Sequence, residues 1–340
     1  MWSPDDFVAQ MLDRLEAARA GRRNVSWAVR REQLLHALKQ ALGDFGDVPQ
    51  AMLASSTLEH VELETVIRER VEYSAGAGLR IPAYIMRPRA AANGKRPAIL
   101  ALHGHGWGSR EMVGLLPDGR PNAAVPSGHR DAAFQLASRG FIVLVPELIG
   151  FGDRKLAQDA DHDDPKANSC FPLAAALLLA GKTLAGLRVF EASRAIDYLL
   201  QRFDVDAGRI GIIGFSGGGM IASLTAALDE RVGAAAIYGY SNTYRSSILA
   251  RRHCLDNYLP GILQHAEMPD LLALIAPRPL FLESGNQDHL FPETGVREAA
   301  RRIAEIYREM DALTSFEYDI FPGGHEMNGR RSFDWLQSVL

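Results

Sequence analysis

Apolar residues recur at three- and four-residue spacing from Asp5 to Ala41, with Phe7, Met11 and Leu15 followed by Trp27, Leu34, Leu35 and Leu38. That spacing predicts two helices joined near Gly21. After a loop at residues 43–49 the period changes. Val66, Arg68, Arg70 and Tyr73, then Leu79, Ile81, Tyr84 and Met86, alternate around Gly76-Ala77-Gly78, which predicts a hairpin feeding a sheet. Further on, strand-like apolar runs at residues 97–102, 141–145, 210–214, 279–283 and 316–321 are interleaved with helical patterns near 131–138, 187–201 and 220–228. Strands separated by helices imply a mostly parallel, doubly wound α/β sheet with helices on both faces. Two stretches, residues 152–186 and 239–275, break the alternation and read as insertions at the end of the sheet where ligands bind. Residues 1–62 are accordingly expected to form a helical segment that packs on the domain or lids it, and residues 63–340 the main domain.

Candidate chemistry enters at Gly214-Phe215-Ser216-Gly217-Gly218, between the apolar run ending at Ile213 and the helical pattern starting at Met220. Small residues flank a serine there because a sharp strand-to-helix turn leaves no room for a Cβ. Ser216 is therefore the expected nucleophile. A serine hydroxyl needs a base and an acid to orient that base. Asp288 follows the strand-like run at 279–283, and His325 follows the one at 316–321 on Pro322-Gly323-Gly324, so both fall at the carboxyl edge of the sheet. Among competitors, Glu283 lies within a strand, Asp319 lies close by, and His289 directly follows the acid it would have to partner. Upstream, His103-Gly104-His105-Gly106 closes the run at 97–102. Its glycines free backbone N–H groups, and the expected oxyanion donors are the N–H groups of Gly217 and His105, with His103, Gly104 and Gly106 supporting the loop.

The strand-HGHG loop, the GFSGG elbow, the G-N-Q-D-H-L-F-P acid loop and the P-G-G-H turn resemble those of the α/β-hydrolase superfamily over residues 65–340. Pro146-Glu147-Leu148-Ile149-Gly150-Phe151-Gly152 and residues 188–200 resemble the dienelactone hydrolase and acetyl xylan esterase-like branch. The resemblance implies an α/β-hydrolase fold of about eight strands and a serine esterase acting on short acyl esters without a cofactor. Dienelactone hydrolases proper carry cysteine in the elbow, so Ser216 points to ordinary ester-cleaving members. A serine exopeptidase of the prolyl oligopeptidase type shares the elbow and the residue order, but no propeller fits in this length. A hydrolase-fold binding protein with a silent triad is the rival from outside catalysis.

Composition narrows the remaining classes. With 340 residues, 47% of them hydrophobic, the chain can bury one large core. A formal net charge of −4 and no basic run longer than two residues exclude the electrostatic footprint of nucleic-acid binding or of an anionic membrane partner. The acidic start lacks the pattern of a signal peptide, so a cytoplasmic location is expected, with a small-molecule ester as partner and homo-oligomerisation left open. Cys170 and Cys254 form no Cys-x-x-Cys motif and are expected to be small buried hydrophobes. No metal site is expected. His103 and His105 alternate on a tight turn without a carboxylate ligand, and Asp161-His162-Asp163-Asp164 reads as a solvated acidic loop. The Gly211-x-x-Gly214-x-x-Gly217 spacing lies too far along the chain for a dinucleotide fingerprint.

Overall fold

A computed structural model of the protein describes residues 2–49, 51–76, 78–90, 94–122, 128–160 and 164–340. Of the features read from sequence, Ala77 in the hairpin and Asp161, His162 and Asp163 of the acidic stretch lie outside the described residues.

Among the described residues, nine strands form one sheet: β1 (Ser56–Glu62), β2 (Val66–Gly76), β3 (Leu79–Pro88), β4 (Arg96–Leu102), β5 (Ile142–Pro146), β6 (Val205–Phe215), β7 (Ala234–Tyr238), β8 (Leu280–Gly285) and β9 (Phe316–Phe321). Their order is β1-β2-β3-β5-β4-β6-β7-β8-β9. The first three are joined to one another and to β5 by antiparallel pairing, and all later pairs are parallel. The sheet thus has one strand more than expected. Two strands match no run read from the sequence: β7, and β1, which falls inside the segment predicted to be helical. The β1 sequence, Ser-Thr-Leu-Glu-His-Val-Glu, leaves almost every residue exposed, so no apolar alternation marks it. Pairing with β2 makes it a strand, reinforced by Glu59 beside Arg68 and Ser56 donating to Glu72.

Helices cover both faces: α1 (Asp5–Gly21), α2 (Trp27–Leu42), α3 (Ala132–Ser138), α4 (Ala157–Ala160), α5 (Cys170–Leu179), α6 (Leu184–Gln201), α7 (Gly217–Leu228), α8 (Met268–Leu272), α9 (Glu293–Glu309) and α10 (Ser332–Val339). Side chains on the central strands alternate between two cores. Leu100, Leu102 and Ile212 pack with Ile221 and Leu38 on one side, while Ile99, Ala101 and Ile213 pack with Phe281 and Leu336 on the other. Burial on both faces is why these strands read as nearly continuous apolar runs. No single helix among the described residues is long and apolar enough to cross a membrane.

The two N-terminal helices behave differently. Trp27, Leu34, Ala37, Leu38 and Leu42 of α2 are buried, and the Trp27 backbone N–H donates to Glu309 at 2.5 Å. No residue of α1 is buried. Polar bonds at its rim hold it, with Arg19 and Arg22 donating to the carbonyls of Leu263 and Gln264, and Asp13 and Glu16 paired with Arg245. The stripe of α2 should therefore carry the stability. Leu38→Ala is expected to cost about 2–5 kcal/mol in urea unfolding, and Phe7→Ala no more than about 0.5 kcal/mol. Equal costs would contradict this division.

Candidate active site

Strand β6 runs into α7 through Ser216, whose backbone sits at φ +53°, ψ −122°. A non-glycine residue at positive φ is strained by about 1–3 kcal/mol and persists only where its surroundings over-determine it. The surroundings here are close backbones. A Cβ on Gly214 would lie 2.2 Å from the Gly218 carbonyl oxygen, and one on Gly218 would lie 2.2 Å from that of Leu102. The Ser216 N–H donates to the Tyr238 carbonyl at 2.8 Å, which ties the turn to β7. Ser216 is half-buried at the carboxyl edge of the sheet.

Asp288 and His325 arrive from the loops after β8 and β9. The Asp288 carboxylate is buried, and its Oδ2 lies 2.6 Å from His325 Nδ1. Its Oδ1 accepts the backbone N–H groups of Leu290 (2.8 Å) and Phe291 (3.1 Å). The Asp288 carboxylate thus makes one bond to the imidazole and two that fix its own orientation. The imidazole lies between Phe215, 4.8 Å away between ring centroids, and Phe291, stacked at 5.7 Å. His325 makes no hydrogen bond to Ser216 in this structure. The competing residues are engaged elsewhere. Glu283, its pKa raised by burial, accepts from the N–H groups of Asn328 and Gly329 and from the Ser332 hydroxyl, anchoring the chain just past His325. Asp319 is paired with Arg330, and His289 is exposed.

The His-Gly loop lies against the elbow. A Cβ on Gly104 would approach Ser216 Cβ to 3.1 Å, and one on Gly217 would meet His105 Nδ1 at 2.8 Å. Gly217 N–H lies in the first turn of α7, where helical geometry provides no carbonyl partner. His103 is fully buried. Leu148 N–H donates to its Nε2 at 3.1 Å, leaving Nδ1 to donate to the Gly104 carbonyl at 2.9 Å.

Three supports escaped the sequence reading. His129 Nε2 accepts the Gly104 N–H at 2.9 Å, and its Nδ1 lies 3.0 Å from Glu111, which also accepts from Trp107 N–H. A Cβ on Gly106 would sit 1.8 Å from Glu111 Oε1, so a larger residue there would displace that carboxylate. Phe291 is the second wall of the base. Finally, His105 Nε2 lies 3.3 Å from Asp256 Oδ2, which also takes a 2.5 Å bond from Arg188 Nη1. The His105 ring is 31% exposed at its edge, but Nε2 itself is closed off from solvent. Burial opposes its charge, yet the Asp256 carboxylate outweighs burial and raises the pKa of His105 to about 10. No local pattern marks His129, Phe291 or Asp256, since each reaches the loop or the imidazole from a segment remote in sequence.

A family model described as the dienelactone hydrolase family matches residues 81–325. The chain belongs to the dienelactone hydrolase family. Membership makes this dienelactone hydrolase family protein a carboxylic ester hydrolase. It is 29% identical over 302 residues to YtaP of Bacillus subtilis (strain 168), named as a hydrolase, spanning 88% of this chain and 93% of that one. Its fold matches that of a Bacteroides fragilis NCTC 9343 protein assigned as an acetyl xylan esterase, at a TM-score of 0.79 and 16% identity over 100% of this chain and 96% of the other. It also matches a glucuronoyl esterase from Solibacter usitatus, at 0.63 and 19% over 91% and 90%.

The Asp288 geometry makes a specific demand on this dienelactone hydrolase family member. In Asp288→Asn the amide oxygen can still accept from Leu290 and Phe291, but the NH2 group then faces His325 Nδ1. The imidazole proton moves to Nε2, which can no longer accept one. Ester turnover should fall by roughly 10⁴ in kcat with the thermal midpoint nearly unchanged. A loss under about tenfold would remove Asp288 from this role.

Proposed function

We propose that the protein hydrolyses short-chain carboxylic esters, acetyl esters foremost, through an acyl-enzyme on Ser216. The observation that carries the reading is the 2.6 Å bond from His325 to a buried, doubly anchored Asp288, beside a serine on a strained strand-to-helix turn. With Nδ1–H directed at Asp288, Nε2 keeps its lone pair and can accept the Ser216 proton as Oγ attacks the ester carbonyl. The oxyanion forms next to the first turn of α7. There the Gly217 N–H and the α7 dipole favour negative charge, and the His105 N–H supplies the second donor. His325 then protonates the departing alkoxide. Water, deprotonated by the same imidazole, releases the acid.

The acetyl preference is supported by the branch resemblance and by the fold shared with a protein assigned as an acetyl xylan esterase. Residues 239–275 place Tyr240, Tyr244 and Asp256, all buried, behind the His-Gly loop and the acid loop, with the Tyr240 and Phe291 rings 5.2 Å apart.

Hydrolysis of p-nitrophenyl acetate, butyrate and octanoate by the wild type and by Ser216→Ala tests the proposal. Turnover should fall with chain length and drop by at least about a thousandfold in the variant. Octanoate preferred over acetate would contradict the short-chain assignment, and activity surviving in the variant would contradict the serine mechanism.

A further inference from the structure

The chain's two cysteines lie 84 positions apart, yet the fold brings them together. One metal-ligating atom from each of His105, Cys170, Cys254 and Asp256 lies within 4.8 Å of all the others. They come from three separate segments: the His-Gly loop, the start of α5 in the first insertion, and the turn at Leu255–Asn257 in the second. We propose that these four side chains form a tetrahedral zinc site that clamps the His-Gly loop to both insertions.

Four observations support it. Two sulfurs, one imidazole nitrogen and one carboxylate oxygen are a borderline-soft donor set that suits zinc rather than calcium or magnesium. A tetrahedral zinc ion with bonds of about 2.0–2.3 Å holds its ligands about 3.3–3.8 Å apart, so the cluster needs only a slight contraction, and the His105–Asp256 pair is already at 3.3 Å. His105 Nε2 is shut off from solvent, makes no hydrogen bond of good geometry and faces the Asp256 carboxylate, so once its proton leaves, the lone pair points into the cluster. The outer shell is also in place. Arg188 donates from Nη1 to Asp256 and from Nη2 to Cys170 Sγ at 3.1 Å and to the Ile149 carbonyl at 2.7 Å, while Asn257 Nδ2 donates to the other Asp256 oxygen at 2.7 Å. Such partners orient metal ligands. Charge closes as well, because two thiolates and one carboxylate balance a divalent cation plus the Arg188 guanidinium. Coordination would release the protons held by the thiols and by the His105 imidazole to solvent, so uptake weakens as pH falls. The cysteines are then ligands, which replaces their reading as small buried hydrophobes.

The site does not depend on the esterase assignment, and Ser216→Ala should bind zinc like the wild type. Full-length protein, stripped with a chelator under reducing conditions, reloaded with zinc and desalted, should retain it in equimolar amount by mass-spectrometric metal analysis. Both thiols should react with a thiol reagent when stripped and be protected when loaded. Cobalt in place of zinc should give thiolate-to-cobalt charge-transfer bands, and these should vanish in Cys170→Ser/Cys254→Ser. Arg188→Lys should weaken zinc binding by about 10–100-fold. Because the wild-type thiol and cobalt readouts need no variant, a variant that fails to fold leaves the test intact. No retention by the reduced wild type, or retention undiminished without the cysteines, would overturn the site. Recovery of Cys170 and Cys254 as a disulfide, with no zinc uptake after reduction, would overturn it in favour of a thiol redox pair.

Discussion

The site depends on a backbone that has no room. Ser216 is held at φ +53° because β6, α7 and the His-Gly loop meet at one point, with the carbonyls of Gly218 and Leu102 each 2.2 Å from where a Cβ would project from a neighbouring glycine. The strain at the serine is sustained by the sheet on either side, through the parallel ladders of β6 with β4 and β7. One crowded junction therefore sets the direction of Ser216, the start of α7 and the approach of the loop that carries His105.

Around that junction, buried polar groups are spent on fixing loops. Glu283 holds the segment after His325, His129 and Glu111 hold Gly104 and Trp107, and His103 bridges the loop to Leu148. Each of these groups lies away from water, where an unsatisfied partner would be costly, and so each specifies a single loop conformation. The pattern suits a reaction whose barrier is lowered by donors already in position when charge develops. The insertion at 239–275 joins the same arrangement through Asp256, which ties His105 to Arg188 on α6.

Much of this was legible from local pattern. Strand runs at residues 97–102 and 210–214 fall within β4 and β6, because two-sided burial writes itself as continuous apolar sequence, and the run at 316–321 coincides with the edge strand β9. The elbow was legible because its crowding demands glycines at fixed offsets from Ser216. The loops bearing Asp288 and His325 were legible because both follow strands that end at one edge. By contrast, β1 has no apolar face and exists through its pairing with β2. His129, Glu111, Phe291 and Asp256 carry no local signature, since the contacts of His129 with Gly104 and Glu111, of Phe291 with His325 and of Asp256 with His105 each span 18 or more positions in sequence. Cys170 and Cys254 read as inert for the same reason, their shared neighbourhood being a product of two insertions folding against the His-Gly loop.

The central claim is that Ser216 is a nucleophile made reactive by His325. Peptide mass spectrometry after brief exposure to a fluorophosphonate, in the wild type and in His325→Asn, tests it most directly. The account predicts a single adduct on the peptide containing Ser216, with labelling slowed by several orders of magnitude in the variant. An adduct on another residue, or equal labelling rates in the two proteins, would contradict it.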